Sequence, residues 1–292
     1  NVECRVERVG GGFGGKQLRA SPIACLAALP AFKLQRPVKL ILSRPQDMRM
    51  HGGLSPYQAR FRVGFDGEGR IMALDLEIWS NGGHSLDYSG DVLETVILVV
   101  DSAYRLPNVR VRGHCCKTHL SSFTALRGFG KPQASAIIES VIDHIARVLS
   151  ADSATVRTKN MYAVGDVLMT GTPMNDDALH KCWTQVLANS NYEQLKKECA
   201  EFNVRNRWKK RGVAAMPSKG NVGFLFSDEI NRGVAQVCVY KDATCHVSHS
   251  GVEMGQGIAT RMAQVAAEVL DVPLASICVG TTSTRAAINT PP

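Results

Sequence analysis

Gly10-Gly11-Gly12-Phe13-Gly14-Gly15-Lys16 packs five glycines into six consecutive positions. A tight turn needs one or two, and each further glycine costs about 1 kcal/mol relative to alanine wherever the chain is regular. The excess implies a backbone that approaches something closely. Two more stretches have the same character: Arg127-Gly128-Phe129-Gly130 and Gly251-Val252-Glu253-Met254-Gly255-Gln256-Gly257. Each of the three stands ahead of a helical pattern. A helix start offers unpaired N–H groups and the positive end of a dipole. Three such loops suit one large, polar, anionic ligand gripped from several sides, mostly by main chain.

Two nucleotide patterns fit the first loop loosely. Gly10-x-Gly12-x-x-Gly15 satisfies the dinucleotide fingerprint, and Gly10-x4-Gly15-Lys16 most of a triphosphate loop. Gln17 stands where the triphosphate loop needs a hydroxyl for magnesium. The dinucleotide fold needs an acid at the end of its next strand, and here that strand ends at Ser43-Arg44 with no acid before Asp47. Neither chemistry is complete.

The 292 residues are 45% hydrophobic, enough for one large or two medium cores. The densest apolar run, Val92 to Val100, is interrupted by Glu94 and too short to span a bilayer. The net charge of +8 is mostly scattered, and its one cluster, Arg205 to Arg211 around Trp208, reads as a solvated face rather than a nucleic-acid surface. Nine cysteines, odd in number and without a CxxC pair, argue against a disulfide framework and against a four-thiolate metal or iron–sulfur site. His114-Cys115-Cys116 with His119, and Cys245-His246 with His249, lack metal-ligand spacing. Reduced thiols fit a cytoplasmic protein. The chain opens at Asn1 inside a strand-like pattern and closes at Pro291-Pro292, so both ends read as cuts in a longer protein.

Periodicity predicts strands at 37–43, 109–112, 211–216, 234–240, 245–248 and 277–279. A hairpin of 59–65 and 71–80 turns at Asp66-Gly67-Glu68-Gly69. Helices are expected at 22–34, capped by Ser21 and bent or ended by Pro30, at 132–149, across 176–202 and at 258–270. The mixture predicts an α+β fold of mixed sheets with packed helices. The expected division is a first subdomain over 1–165, a helical connector over 166–205 and a second subdomain over 206–292.

With all three loops on the page, the chain resembles the molybdenum-binding part of the xanthine dehydrogenase and aldehyde oxidase family. The resemblance rests on Gly10 to Lys16, Thr124-Ala125-Leu126-Arg127-Gly128-Phe129-Gly130 with Pro132-Gln133, Trp208 to Gly212, and Glu253 to Gly257, with lesser matches at Gly52-Gly53, Asn81-Gly82-Gly83, Tyr104 and Pro107-Asn108. It implies two subdomains of a molybdopterin-binding domain. It also implies oxidation of an aldehyde or N-heterocycle by a molybdenum-bound hydroxyl, with hydride passing to a sulfido ligand. FAD and two [2Fe–2S] clusters belong to other domains of the parent chain, which the family makes a cytoplasmic homodimer free of nucleic acid and membrane. Oxygen and NAD both stay open as electron acceptor.

The resemblance places Phe13 and Arg127 beside the metal. It places Gly12, Gly14, Met254, Gly255, Gln256 and Gly257 on the pterin, and Gln17, Thr95 and Phe129 on the substrate side. The purine-oxidising branch has Glu at the position of Gln17 and Arg at that of Thr95. Gln17 cannot ionise and Thr95 offers no guanidinium, so the chain reads as aldehyde oxidase-like, with xanthine dehydrogenase proper or an inactive cofactor-binding paralogue as alternatives. Lys131 beside Phe129 reads as a cation at the pocket mouth or on the solvent side. No catalytic residue is expected within these residues, since the family's general-base Glu would lie beyond Pro292.

Overall fold

A computed structural model describes residues 2–220, 223 and 232–284. Asn1 and the Pro291-Pro292 end lie outside the described residues. The first sheet forms as its alternation demands. β2 (Tyr57–Phe65) pairs antiparallel with β3 (Ile71–Gly83), matching Tyr57 to Ser80 and Val63 to Leu74. Asp66 makes the turn, its Oδ1 accepting the N–H groups of Glu68 and Arg70 at 2.9 and 2.8 Å. β3 then pairs parallel with β4 (Val109–Lys117), and a parallel pair requires a crossover, supplied here by α3 (Ser89–Leu98).

Leu74, Leu76 and Ile78 of β3 point inward and are buried, while Asp75 between them points out to Arg62 and Arg110, each 2.7 Å from its Oδ2. α4 (Lys131–Val148) lays Ile138, Val141, Ile142 and Ile145 into the same core. Arg157 of α5 (Ser153–Asn160) is buried against it and donates to Glu139 and Asp143 at 2.7 and 2.9 Å, while Tyr104 donates to the same Glu139. Burial and that carboxylate push the Tyr104 hydroxyl far above the usual phenol range.

The second sheet repeats the order of the first. β5 (Ala235–Val239) pairs antiparallel with β6 (Cys245–His249), α8 (Ile258–Leu270) crosses over, and β7 (Ile277–Val279) pairs parallel with β6. A two-stranded ribbon joins β1 (Arg5–Val6) to β8 (Thr282–Ser283) and so brings residues early and late in the sequence together. The architecture is α+β, as expected. Among the described residues no helix is long and apolar enough to cross a membrane.

Several expected elements differ. Residues 37–43 form no strand: Val38, Leu40 and Ile41 are exposed and no neighbouring strand pairs with them. An extended segment without a partner satisfies none of its backbone groups within a sheet. Ser43 instead caps α2 (Arg44–Met50) through a capping box with Gln46. Residues 211–216 are irregular as well. Asn203 takes the place of a strand there, accepting the Arg211 N–H and donating to its carbonyl, each at 2.8 Å.

The helical span 176–202 is broken at Asn191, whose φ of 50° ends one helix and starts another: α6 (Ala178–Asn189) and α7 (Tyr192–Arg205). Trp183 and Tyr192 from these helices enter the core of the first sheet. α1 (Ala20–Leu34) starts at Ala20, one residue before Ser21, and continues through Pro30. A proline there leaves the carbonyl of Leu26 without its helical donor. Leu26 is 63% exposed, so water can serve that carbonyl.

Candidate functional site

The three glycine-rich loops converge. Arg127 donates its backbone N–H to the Phe13 carbonyl at 2.8 Å, and its guanidinium carbon lies 6.0 Å from the centre of the Phe13 ring. Val9 donates to the Glu253 carbonyl at 2.8 Å, and Phe13 donates its N–H to the Met254 sulfur at 2.9 Å. Phe13, Arg127 and the Met254 turn therefore share one neighbourhood, although Phe13 and Met254 stand 241 residues apart.

Close approach explains the glycines. A Cβ on Gly14, whose φ is +97°, would lie 2.9 Å from the Ala125 carbonyl oxygen, so only glycine lets the first loop touch the second. A Cβ on Gly130 would lie 2.7 Å from the Val92 carbonyl oxygen of α3. The backbone is strained here too: Phe13 and Phe129 carry φ values of 49° and 43°, in the left-handed region that aromatic residues avoid. Such strain collects at ligand-binding sites, where packing over-determines the conformation. Gly52-Gly53 is laced between two of the loops, with Gly52 donating to Gly15 and Gly53 accepting from Thr124.

The third loop holds itself. Glu253 Oε1 accepts the N–H groups of Gly255 and Gly257 at 2.9 and 3.1 Å, and its Oε2 that of Ala259 at 3.4 Å. Those amides hold the Glu253 carboxyl below the usual carboxylate range. The helix start read above as an open anion site is thus occupied by a side chain of its own turn. Gln256 is engaged within the turn as well: its Oε1 accepts the Met254 N–H at 2.7 Å and its Nε2 donates to Val252 at 2.9 Å.

The residues expected on the substrate side attach to α3. Gln17 Nε2 donates to the Tyr88 hydroxyl at 2.7 Å, next to the first residue of that helix. Thr95 is buried about two turns beyond Tyr88, its hydroxyl donating to the Asp91 carbonyl at 3.0 Å. Phe129 is half-buried beside Gly130, which packs on Val92 and Val96 of the same helix. Lys131 is half-buried, and its desolvation lowers the ammonium pKa.

Cations surround the entrance of the first loop. Lys16 Nζ donates to the Gly10 carbonyl at 3.2 Å and to Asp47 at 2.7 Å, and Arg44 donates to the same two groups at 3.0 and 2.9 Å. Gly10, Gly11 and Gly257 have open space where a Cβ would project. A concavity of about 550 Å³ lies elsewhere, on the charged outer face of the first sheet among Arg62, Asp75 and Arg110. Its lining is already ion-paired and takes no part in the loop cluster.

Sequence reasoning missed Glu253 as the organiser of its turn and Tyr88 as the partner of Gln17. The signal for Glu253 was present: a carboxylate two residues before one glycine and four before another at a helix start.

Comparison with known proteins adds a family. A model described as "Molybdopterin cofactor-binding domain" matches residues 1–161, and a second with the same description matches residues 185–292. Xanthine dehydrogenase 1 of Arabidopsis thaliana is 43% identical over 291 residues, covering 100% of this chain and 21% of its own length. Aldehyde oxidase 2 of Cavia porcellus is 42% identical over 289 residues, covering 99% of this chain and 22% of its own. The chain thus spans about a fifth of the length of these relatives. In fold it is similar to quinoline 2-oxidoreductase of Pseudomonas putida 86, with a TM-score of 0.78 at 24% identity over 99% of this chain and 38% of that one. It is likewise similar to the aldehyde oxidoreductase of Desulfovibrio desulfuricans, with a TM-score of 0.79 at 23% identity over 97% of this chain and 31% of that one.

Proposed function

This chain belongs to the molybdopterin cofactor-binding domain family, and on that premise we propose that it is the cofactor-holding part of a molybdenum hydroxylase acting on aldehydes or N-heterocycles. The observation that carries the reading is the meeting of Phe13, Arg127 and Met254 from three separate loops. The donor set suits such a group. Left-handed backbone, the open faces of Gly10, Gly11 and Gly257, and Lys16 and Arg44 close by, both shared with Asp47, match a polar ring system better than an apolar one.

In this reading Gly12, Gly14, Met254, Gly255, Gln256 and Gly257 hold the pterin, and Phe13 and Arg127 stand beside the metal. When bound, the group supplies the oxidation itself, transferring oxygen to substrate and taking up two electrons. The chain's own contribution is positional. Phe13 presents an amide donor, and Arg127 keeps a positive charge next to it. Phe129 offers a ring edge or face to the substrate, worth about 0.5–1.5 kcal/mol. Gln17 presents an amide already oriented by Tyr88. The boundaries 1–165, 166–205 and 206–292 belong to the same proposal, as do a homodimeric, cytoplasmic parent and FAD and two [2Fe–2S] clusters on its other domains.

The test is composition. The full-length protein, matured with cofactor, is expected to contain molybdenum and pterin in equal amounts, and a purified protein with neither removes the proposal. The names of the Arabidopsis and several mammalian relatives support xanthine dehydrogenase as a second reading. Gln17 and Thr95 favour the aldehyde oxidase branch, since neither can supply charge to a purine. The expected result is a kcat/KM for an aromatic aldehyde at least tenfold above that for xanthine. The reverse order assigns the chain to the xanthine branch.

A further inference from the structure

We propose that α1 and residues 37–43 form a docking surface for a further strand of the same parent chain. That strand comes from the part of the parent outside residues 1–292, pairs with 37–43 and covers α1. The proposal draws on chain length and exposed surface and not on the cofactor reading, so the two can fail separately.

The surface is unlike that of a finished domain. Within α1 only Ser21 and Lys33 carry a hydroxyl or a charge, and no residue of the helix is buried. A helix apolar on every side belongs in an interior. Here Leu26, Leu29, Phe32 and Leu34 are between 58% and 64% exposed. The chain then passes through Gln35 into 37–43, where Val38, Leu40 and Ile41 are exposed too. Apolar surface that is continuous over two neighbouring segments marks an interface.

The backbone says what kind of element fits. Among the described residues no strand pairs with 37–43, so a covering helix would leave its N–H and carbonyl groups unpaired, and a strand would satisfy them. β1, α1 and 37–43 also follow the strand–helix–strand order of a parallel unit. The near-continuous run Val38, Leu40, Ile41 and Leu42 is that of a parallel strand covered on both faces.

The same run says where the strand comes from. A second copy related by a two-fold axis would meet 37–43 antiparallel to itself, which a parallel-type run does not suit. The chain spans about a fifth of the length of its relatives, so ample polypeptide of the same parent stands outside it. A strand from there docks without the entropy cost of bringing two molecules together.

The experiment uses the native full-length protein. Site-resolved hydrogen–deuterium exchange on wild type reads the amides of residues 38–42. In a second sample, p-benzoylphenylalanine placed at the exposed Lys39 captures its neighbour on illumination. The amides are expected to exchange at least a hundredfold slower than those of an unstructured chain. The cross-linked product is expected to keep the mass of one chain and to join the peptide of residue 39 to a peptide outside residues 1–292. Exchange at the unstructured rate overturns the proposal, and wild type gives that answer even where the photoreactive protein misfolds. A product heavier than one chain assigns the surface to a second copy or another protein and overturns it as well. So does a failure to find any product that joins residue 39 to the rest of the parent. Molybdenum content of the wild-type sample reports separately on the cofactor reading.

Discussion

Glu253 is half-buried and organises three amides of the third loop. Because its folded pKa is lowered, the stability it contributes is present above the ordinary glutamate range and is lost as pH falls through the lowered value. Glu253→Gln is therefore expected to melt below wild type at neutral pH. The gap should close as the solution is acidified past the carboxylate range, which a series of thermal melts would show. A gap that stays constant with pH would assign the effect to something other than this charge. Gly14→Ala acts by contact instead. Its Cβ meets the Ala125 carbonyl at 2.9 Å in a backbone at φ +97°, so the first two loops must separate. The expected outcome is at least a tenfold loss of bound molybdenum with secondary structure unchanged by circular dichroism. At this scale much of the site was legible. Phe13, Arg127 and Met254 stood out because their glycine neighbours signal close approach. The self-engagement of Gln256 was not legible, because an amide beside glycines looks the same in sequence whether it faces its own turn or a ligand.

Among the elements, those with a strong period were readable and those defined by a partner were not. The stripe of α4 fixed that helix to within a residue, and the inward Leu74, Leu76 and Ile78 fixed the start of β3, which runs three residues past the expected end at 80. α8 and β7 fall at the expected bounds. α2, α3 and α5 escaped notice because helices of 7, 10 and 8 residues show too little period to stand out. Residues 37–43 carry the composition of a strand, but pairing is a property of two segments and sequence shows only one. Buried ion pairs hold the elements in register. Arg157, 3% exposed, neutralises Glu139 beneath Tyr104. Arg157→Met leaves that carboxylate buried without its cation and is expected to cost about 3–5 kcal/mol in urea denaturation. Lys219 reaches Asp101 at 2.7 Å, a carboxylate 1% exposed that also accepts from Tyr162, and so pins the segment after α7 onto the turn that follows α3. Lys219→Met is expected to hasten limited proteolysis within 206–220 and to leave cleavage elsewhere unchanged.

Over the whole molecule, two sheets share one order of connection: hairpin, helix, parallel strand. Nothing in the residues announces this, because the two halves have no matching sequence period. Topology repeats where side chains do not. Each sheet sends a glycine-bearing connection from its middle strand into the crossover helix, through Gly82-Gly83 before α3 and through Gly251 to Gly257 before α8. The ribbon of β1 with β8 and the bond from Val9 to Glu253 then close the two halves around the loop cluster. This closure sets a timetable. The wall bearing Phe13 leaves the ribosome long before the one bearing Met254, 241 residues later, so a nascent chain has no finished receptacle to offer. Under the proposed reading, loading waits until residues 251–257 have been made, and a chain ended upstream of residue 251 would lack the third loop.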